Sequence, residues 1–364
     1  MKQGYKYKNT ALIIILCTIV LSLMLGGFFL PKKERSESER RPLARLPGLS
    51  LEALLSGELM SDLEKYSTDH LPARESLRRL KSIFVYSVFM QKENNGIAFL
   101  GDYQYKADDV FKPEGIDRSA EKLKLIYEQY LEKSGCLVYL SLIPDKGYFA
   151  RQEGLPGLDY SAVLSKLRAT LDFSYIDLTP LLSLEDYYRT DIHLRQERSL
   201  PIAELLAKNL GKELTEHYSV FTSPEPFYGV YYGQAALPVR ADELKILTSD
   251  LLEGCTVTDY EAQASIGIYD MEALKGRDPY EVFLSGSKSL LEIKNPEASG
   301  KGRLIIFRDS FASALAPLLA EAYESIFLVD VRYISPAILD KFIAFQASDT
   351  VLFLYSTPVL NLGL

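Results

Sequence analysis

The sequence has 364 residues, of which 47% are hydrophobic and 25% are charged, and this is the balance of a folded globular protein. Its formal net charge of -8 leaves no excess of lysine and arginine to neutralise phosphates, so no nucleic-acid partner is expected. The three cysteines, Cys17, Cys136 and Cys255, form no disulfide or zinc pattern, and three histidines are few for a transition-metal site. We therefore expect neither a metal nor another cofactor.

An uncharged apolar segment covers residues 11–30 and is long enough to cross a bilayer as a helix. A cleaved signal peptide is the alternative, although no small-residue cleavage site follows the apolar run. We expect residues 1–10 to be cytoplasmic, residues 11–30 to span the cell membrane once, and the remaining chain to be extracytoplasmic. Residues 31–48 mix both charge signs with proline and are interpreted as a juxtamembrane linker.

A helical arm is predicted over residues 49–93. Apolar residues recur there at helical spacing, and Pro72 interrupts the pattern because the residue before a proline avoids the α conformation. Two helices are therefore expected, at about 50–66 and 73–89.

The following residues, 94–214, alternate predicted helices with buried strands, which is typical of a doubly wound sheet. Residues 215–300 contain several glycines and no long helical pattern, so we interpret them as a mostly β insertion, and residues 301–364 complete the sheet. The predicted fold class is α/β, with a parallel sheet flanked by helices. Its central strands are expected at 137–142, 304–307, 326–329 and 351–355, and two of its helices at 199–210 and 311–324.

A candidate nucleophile, Ser310, lies between the apolar run at 304–307 and the predicted helix at 311–324. Ligands of parallel sheets bind beyond the carboxyl ends of the strands, where this serine is expected. The N-terminus of the predicted helix would help to stabilise an oxyanion there. The alternative is that Asp309 or Ser310 only caps the helix, since both residue types are preferred caps.

The segment TDIHL supplies a candidate base, His193, and a candidate orienting acid, Asp191. Alternate residues of an extended segment point the same way, so both side chains could reach one pocket. A serine nucleophile needs such a pair. The alternative is a loop histidine beside a helix-capping aspartate.

Six sequence blocks together resemble the DHHW family of secreted proteins, which is similar to the SGNH-hydrolase-like alginate O-acetylation proteins. The blocks are DHLPAR at 69–74, NGIAFLGDYQY at 95–105, PDKGYF at 144–149, YYRTDIHL at 187–194, DPYEVFLSG at 278–286, and RDSF with VDVRY within 308–333. The resemblance covers most of residues 60–356. It implies a permuted SGNH-hydrolase-like (flavodoxin-like) fold in which the Asp and His of the triad precede the Ser.

The resemblance also implies a Ser–His–Asp triad that moves or removes an ester-linked acyl group, with Ser310 as nucleophile, His193 as base and Asp191 as its orienting acid. The DHHW motif is DIHL here, with Ile192 and Leu194 in place of its first histidine and its tryptophan. Arg332 is expected to hold a substrate carboxylate, and the alternative is an ion pair with a neighbouring acid.

Two functions are compatible with these observations. The first is a membrane-anchored extracytoplasmic acyl esterase or O-acetyltransferase that acts on an envelope or secreted polysaccharide, with an acyl-exporting membrane protein among its expected envelope partners. The second, suggested by the altered DIHL motif, is a catalytically inert module that binds glycans or proteins. The Ser310–His193 separation distinguishes them, because proton transfer needs a distance of roughly 3 Å.

Overall fold

The computed structural model describes residues 10–18, 20–22, 26 and 32–364. They form two compact units, one containing the residues up to 94 with 232–239, and the other containing 95–231 and 240–364. Within the described ranges, no helix has the length and hydrophobicity needed to cross a membrane. Part of the predicted span at 11–30 lies outside the described residues, and the anchor stays a prediction.

The first unit is mainly helical between residues 51 and 88. Two helices were expected there, but Gly57 takes a left-handed conformation with φ of 80° and divides the first of them, since only glycine adopts this backbone without strain. The elements of this part of the chain are β1 Arg35–Ser36, β2 Arg41–Pro42, α1 Leu51–Ser56, α2 Glu58–Asp69, α3 Arg74–Ile83, the π-helical turn Phe84–Val88 and β3 Glu93–Asn94.

The second unit contains most of the strands. They are β4 Ile97–Leu100, β5 Tyr103–Lys106, β6 Leu137–Ile143, β7 Ser174–Ile176, β8 Ser219–Phe227, β9 Asp242–Thr248, β10 Thr256–Asp259, β11 Ala264–Ile266, β12 Leu290–Lys294, β13 Arg303–Arg308, β14 Ser325–Val329 and β15 Thr350–Ser356. The helices that follow α3 along the chain are α4 Pro113–Ile126, α5 Gly147–Gln152, α6 Tyr160–Arg168, α7 Leu200–Asn209, α8 Val230–Ala235, α9 Asp250–Gly254 and α10 Thr357–Leu362.

Eight of these strands form one sheet in the order β11-β10-β12-β14-β13-β15-β6-β7. The five from β14 to β7 are parallel, which confirms the four predicted central strands and the α/β fold class. The sequence predicts that the β insertion ends at residue 300 and that the chain returns to this sheet at Arg303. The chain instead returns at Thr256, because β10, β11 and β12 extend the sheet in antiparallel fashion. Strands β8 and β9 pair separately.

Helices cover both faces of the sheet, which explains why its central strands have uninterrupted apolar sequences. In β13, Leu304 and Ile306 join one buried cluster, whereas Ile305 and Phe307 join the cluster on the opposite face. Helix α7 packs into the first cluster, and α4, α6 and α10 contribute to the second. Burial on both faces is the usual cause of such runs in parallel strands.

The prediction of one helix over residues 311–324 is wrong. The chain forms two short 3-10 helices instead, Ser310–Ala312 and Ala316–Ala322, although this segment does pack on the sheet face shared with α7. Pro317 accounts for the difference, because it has no N–H to donate to residue 313 and its ring would clash with that carbonyl in a continuous α-helix. The N-terminal helix dipole expected at Ser310 is therefore lost, since three residues are too few to build one.

Candidate active site

Ser310 lies directly beyond the carboxyl end of β13, on a tight turn held by Asp309. One carboxylate oxygen of Asp309 accepts the Phe311 N–H at 2.9 Å, and the other accepts the N–H and hydroxyl of Ser356 at 2.8 and 2.7 Å. Asp309 thus caps the turn and joins it to the end of β15. The fully buried Arg308 donates to the Ser313 hydroxyl at 2.9 Å on the other side of the turn. The capping role falls to Asp309, and the Ser310 hydroxyl is not needed for it.

The three candidate catalytic side chains form one hydrogen-bonded chain. The Ser310 Oγ lies 2.8 Å from His193 Nε2, and His193 Nδ1 lies 2.6 Å from Asp191 Oδ1. Because a carboxylate only accepts hydrogen bonds, Nδ1 carries the proton and Nε2 is left to accept the hydroxyl proton of Ser310. Asp191 is fully buried, and His193 is slightly exposed. These contacts fit the arrangement required for acyl transfer through a serine.

The loop that carries Asp191 and His193 is held by a second acid, Asp242. Its carboxylate accepts hydrogen bonds from the backbone N–H groups of Arg189 and Thr190 at 2.9 and 2.8 Å, and from the Thr190 hydroxyl. Asp191 itself accepts the N–H of His193 at 3.1 Å and that of Val230 at 2.9 Å. The acid is thereby fixed by contacts on both sides of its carboxylate.

Gly229 packs directly against Asp191. A β-carbon added to this glycine would stand 2.2 Å from the Asp191 β-carbon, so no side chain fits there. The Gly229 N–H donates to the Thr190 hydroxyl at 2.9 Å. The glycine lets the 229–230 backbone approach closely enough for the Val230 N–H to reach the carboxylate.

Tyr280 stacks on the base. Its ring lies parallel to the His193 imidazole, with centroids 3.8 Å apart and an interplanar angle of 6°, and Phe311 contacts the imidazole at a centroid distance of 5.1 Å. The Tyr280 hydroxyl lies 3.4 Å from the Ser310 carbonyl. Burial raises the pKa of Tyr280 well above its usual range, so its phenol stays protonated. Sequence reasoning gave Tyr280 no role, although its block DPYEVFLSG was part of the family resemblance.

The two altered positions of the DIHL motif face the hydrophobic core. Leu194 is buried, forms a β-bridge with Tyr187 and belongs to the cluster on the α7 face of the sheet. Ile192 is partly buried and packs against the same cluster. Leu194 therefore contributes to core packing and takes no part in the hydrogen bonds of His193.

Arg332 forms a bidentate pair with Asp330, which is the alternative considered for it. Its Nε and Nη2 donate to the two carboxylate oxygens at 2.9 and 2.6 Å. Asp330 is completely buried, and the Arg332 side chain keeps about a quarter of its surface exposed. A role in holding a substrate carboxylate stays a prediction.

Comparisons with known proteins agree with the fold. No family model and no curated protein matches the sequence. Among solved structures, a DHHW family protein from Eubacterium siraeum is similar with a TM-score of 0.59 and 18% identity, over 75% of this chain and 94% of that one. Bacillus cereus PatB1 with a sulfonyl adduct is similar with a TM-score of 0.56 and 19% identity, over 72% of this chain and 95% of that one.

A more distant similarity connects the chain with the O-acetyltransferase domain of Pseudomonas putida AlgJ, at a TM-score of 0.44 and 13% identity, over 73% of this chain and 92% of that one. The similarity to the Eubacterium siraeum protein confirms, at the level of the fold, the resemblance to the DHHW family that the sequence blocks indicate.

Proposed function

We propose that this protein is an extracytoplasmic acyl esterase or O-acetyltransferase that acts on an envelope or secreted polysaccharide and is anchored through residues 11–30. The observation that carries the proposal is the hydrogen-bonded chain from Ser310 through His193 to Asp191. The uncharged segment at 11–30 supports the anchor, and the family resemblance supports the substrate class.

The three side chains of this chain support a two-step acyl transfer. His193 Nε2 takes the proton of the Ser310 hydroxyl while its oxygen attacks the acyl carbonyl, and Asp191 stabilises the resulting imidazolium. The imidazolium then gives the proton to the departing alcohol oxygen, which leaves an acyl ester on Ser310. In the second step His193 takes a proton from water or a sugar hydroxyl, the oxygen attacks the acyl-serine, and the proton returns to Ser310.

The PatB1 structure with a sulfonyl adduct suggests a direct test. A sulfonyl fluoride transfers its sulfonyl group to a serine activated by a base and releases fluoride, whereas an ordinary serine reacts poorly. We expect phenylmethylsulfonyl fluoride to modify the full-length detergent-purified protein at Ser310, detected by peptide mass spectrometry, and to stop hydrolysis of p-nitrophenyl acetate.

Three variants sharpen this test. Ser310→Ala and His193→Ala should both lose labelling of residue 310 and hydrolysis, whereas Ser299→Ala, at an exposed serine, should behave as the wild type. The losses in Ser310→Ala and His193→Ala should not add in the double variant, because members of one catalytic unit fail together. A wild-type protein that is neither labelled nor active would instead support the inert binding module.

A further inference from the structure

A cavity of about 440 Å³ lies in the first unit, between residues 32–43, which follow the predicted anchor, and the turn that joins α2 to α3. All six residues of the block DHLPAR, at 69–74, contribute to its lining. This block belongs to the family resemblance, but none of its residues takes part in the triad. The volume falls in the range of small-molecule sites, about 300–1,000 Å³. The cavity is therefore a candidate ligand site that shares no residue with the proposed active site.

The lining of this cavity carries a surplus of positive charge. Among the described residues that form it, five are lysines or arginines and three are acids, namely Lys32, Lys33, Arg35, Arg74 and Arg79 against Glu37, Asp69 and Glu75. Asp69 already accepts two hydrogen bonds from the Arg41 guanidinium, at 2.9 and 2.6 Å. Glu75 accepts hydrogen bonds from Arg74 and Arg78, at 2.9 and 3.4 Å. Because these two acids are paired with arginines, they do not compensate the remaining cations of the lining.

Three of the remaining cations are available to a ligand. Among the residues that the structure describes, the side chains of Lys33, Arg35 and Arg79 form no hydrogen bond and no ion pair, and all three are exposed. Lys32 holds its ammonium 4.9 Å from the centre of the Tyr66 ring, a contact that attracts the cation without neutralising it. A negatively charged ligand can therefore pair with these groups without breaking an existing ion pair.

The cavity adjoins the predicted membrane span. Lys32 follows the end of that span, at residue 30, by two positions. Gly26, within the span, lies so close to Pro72 of the lining that a β-carbon added to the glycine would stand 2.9 Å from the proline ring. Four residues of a membrane-spanning helix rise about 6 Å, so this contact lies close to the membrane surface when residues 11–30 cross the bilayer. Lipid headgroups occupy this level.

We propose that the cavity binds the phosphodiester headgroup of an anionic phospholipid and thereby holds the first unit against the bilayer. The proposal rests on the anchor of the proposed function and not on its chemistry. The guanidinium groups of Arg35 and Arg79 contact phosphate oxygens in bidentate fashion, and the ammonium of Lys33 pairs with them as a point charge. The adjoining span favours a lipid over a soluble phosphodiester, because a lipid headgroup reaches the cavity without leaving the bilayer.

The test is a titration of the full-length protein in a neutral detergent, with the retained lipid counted by native mass spectrometry. Phosphatidylglycerol and phosphatidylcholine share a phosphodiester, but choline cancels its charge, so the first lipid should bind about tenfold more tightly. The triple variant Lys33→Gln, Arg35→Gln, Arg79→Gln should bind phosphatidylglycerol about a hundredfold more weakly, since each cation near an anionic lipid contributes about fivefold. Equal wild-type affinity for the two lipids, or undiminished binding by the variant, would overturn the proposal.

A matched control removes the same charge elsewhere. The triple variant Lys133→Gln, Lys208→Gln, Lys275→Gln neutralises three exposed lysines of the second unit and should bind phosphatidylglycerol as the wild type does. The replaced side chains are exposed in both triple variants, so their midpoints of thermal unfolding should match that of the wild type. An equal loss of affinity in the two variants would mean that the lipid responds to net charge alone, and the cavity would not be the site.

Two further measurements separate the proposal from its alternatives. Glycerophosphoglycerol is the headgroup without acyl chains, and it should displace phosphatidylglycerol only at far higher concentrations. Displacement at equal concentrations would mean that the ligand is a soluble phosphodiester and not a lipid. Ser310→Ala should bind phosphatidylglycerol as the wild type does. A wild-type protein that binds the lipid but hydrolyses no ester contradicts the esterase alone, and an active protein that does not bind the lipid contradicts this proposal alone.

Discussion

The ring of Tyr280 lies flat against the imidazole of His193, with centroids 3.8 Å apart and planes within 6° of parallel. Tyr280 belongs to a short 3-10 helix, Pro279–Val282, capped by Asp278, whose carboxylate accepts the Tyr280 N–H. The ring itself packs among Tyr188 and Phe283. This packing leaves the imidazole one plane in which to lie, and that plane contains both of its hydrogen bonds.

Tyr280→Leu should reduce kcat/KM for an activated acetyl ester by about tenfold, because stacked aromatic pairs contribute up to about 1.5 kcal/mol beyond their buried area. Tyr280→Phe is the matched control. It keeps the ring and removes the hydroxyl, with its 3.4 Å contact to the Ser310 carbonyl, so its rate should stay within about twofold of the wild type. Equal losses in both variants would show that the hydroxyl matters and the stacking does not.

Gly229→Ala should lower the rate by about a hundredfold or more. Its new methyl group would overlap the Asp191 β-carbon and force the acid away from His193, and overpacking of this kind also costs about 1–3 kcal/mol of folding free energy. The matched control is Gly254→Ala, where a β-carbon meets nothing within 4 Å, and this variant should keep full activity. The rates of ester hydrolysis and the midpoints of thermal unfolding of both variants test this prediction. An active Gly229→Ala protein would show that the loop moves freely.

The sequence was sufficient to predict the central strands and the meeting of Ser310 with His193. Both depend on local signals: apolar runs mark strands that are buried on both faces, and the TDIHL and RDSF blocks carry residue types that acyl transfer requires. The contacts of Gly229 and Tyr280 could not be predicted in this way. Unlike the serine and the histidine of those blocks, a glycine or a tyrosine in a loop is compatible with many structures and indicates no particular contact.

Two errors have local causes that the sequence did contain. Pro317 prevents a continuous α-helix after Ser310, although the apolar spacing of residues 311–324 predicts one. Residues 256–294 belong to the predicted insertion because the segment 215–300 contains several glycines and no long helical pattern, yet Val257, Leu291 and Ile293 bury against the main sheet. In the second case the partner strand, β14, decides the outcome, and pairing between distant segments is invisible in either segment alone.

Asp145 gives a prediction about stability that does not depend on catalysis. Its carboxyl group is almost completely buried next to Lys146, and it accepts the Gly147 N–H at 2.9 Å. Burial raises its pKa to about 7, with a smaller contribution from Asp109. The unfolded chain has the ordinary pKa near 3.8 at this residue. Between these values the folded protein binds more protons than the unfolded chain, so this group loses stabilising effect as the pH rises from about 4 to about 7.

Asp145→Asn replaces the acid by a neutral group of the same shape that can still accept the Gly147 N–H. The variant should therefore gain stability over the wild type, little at pH 4 and by about 1 kcal/mol or more at pH 8, where the wild-type carboxylate is ionised. Urea unfolding of both proteins at the two pH values measures the difference. Asp172→Asn, at an exposed position, is the matched control and should show the same small change at both. A gain for Asp145→Asn that is no larger at pH 8 than at pH 4 would mean that the Lys146 ammonium already compensates the Asp145 charge, and that the two titrate as one ion pair.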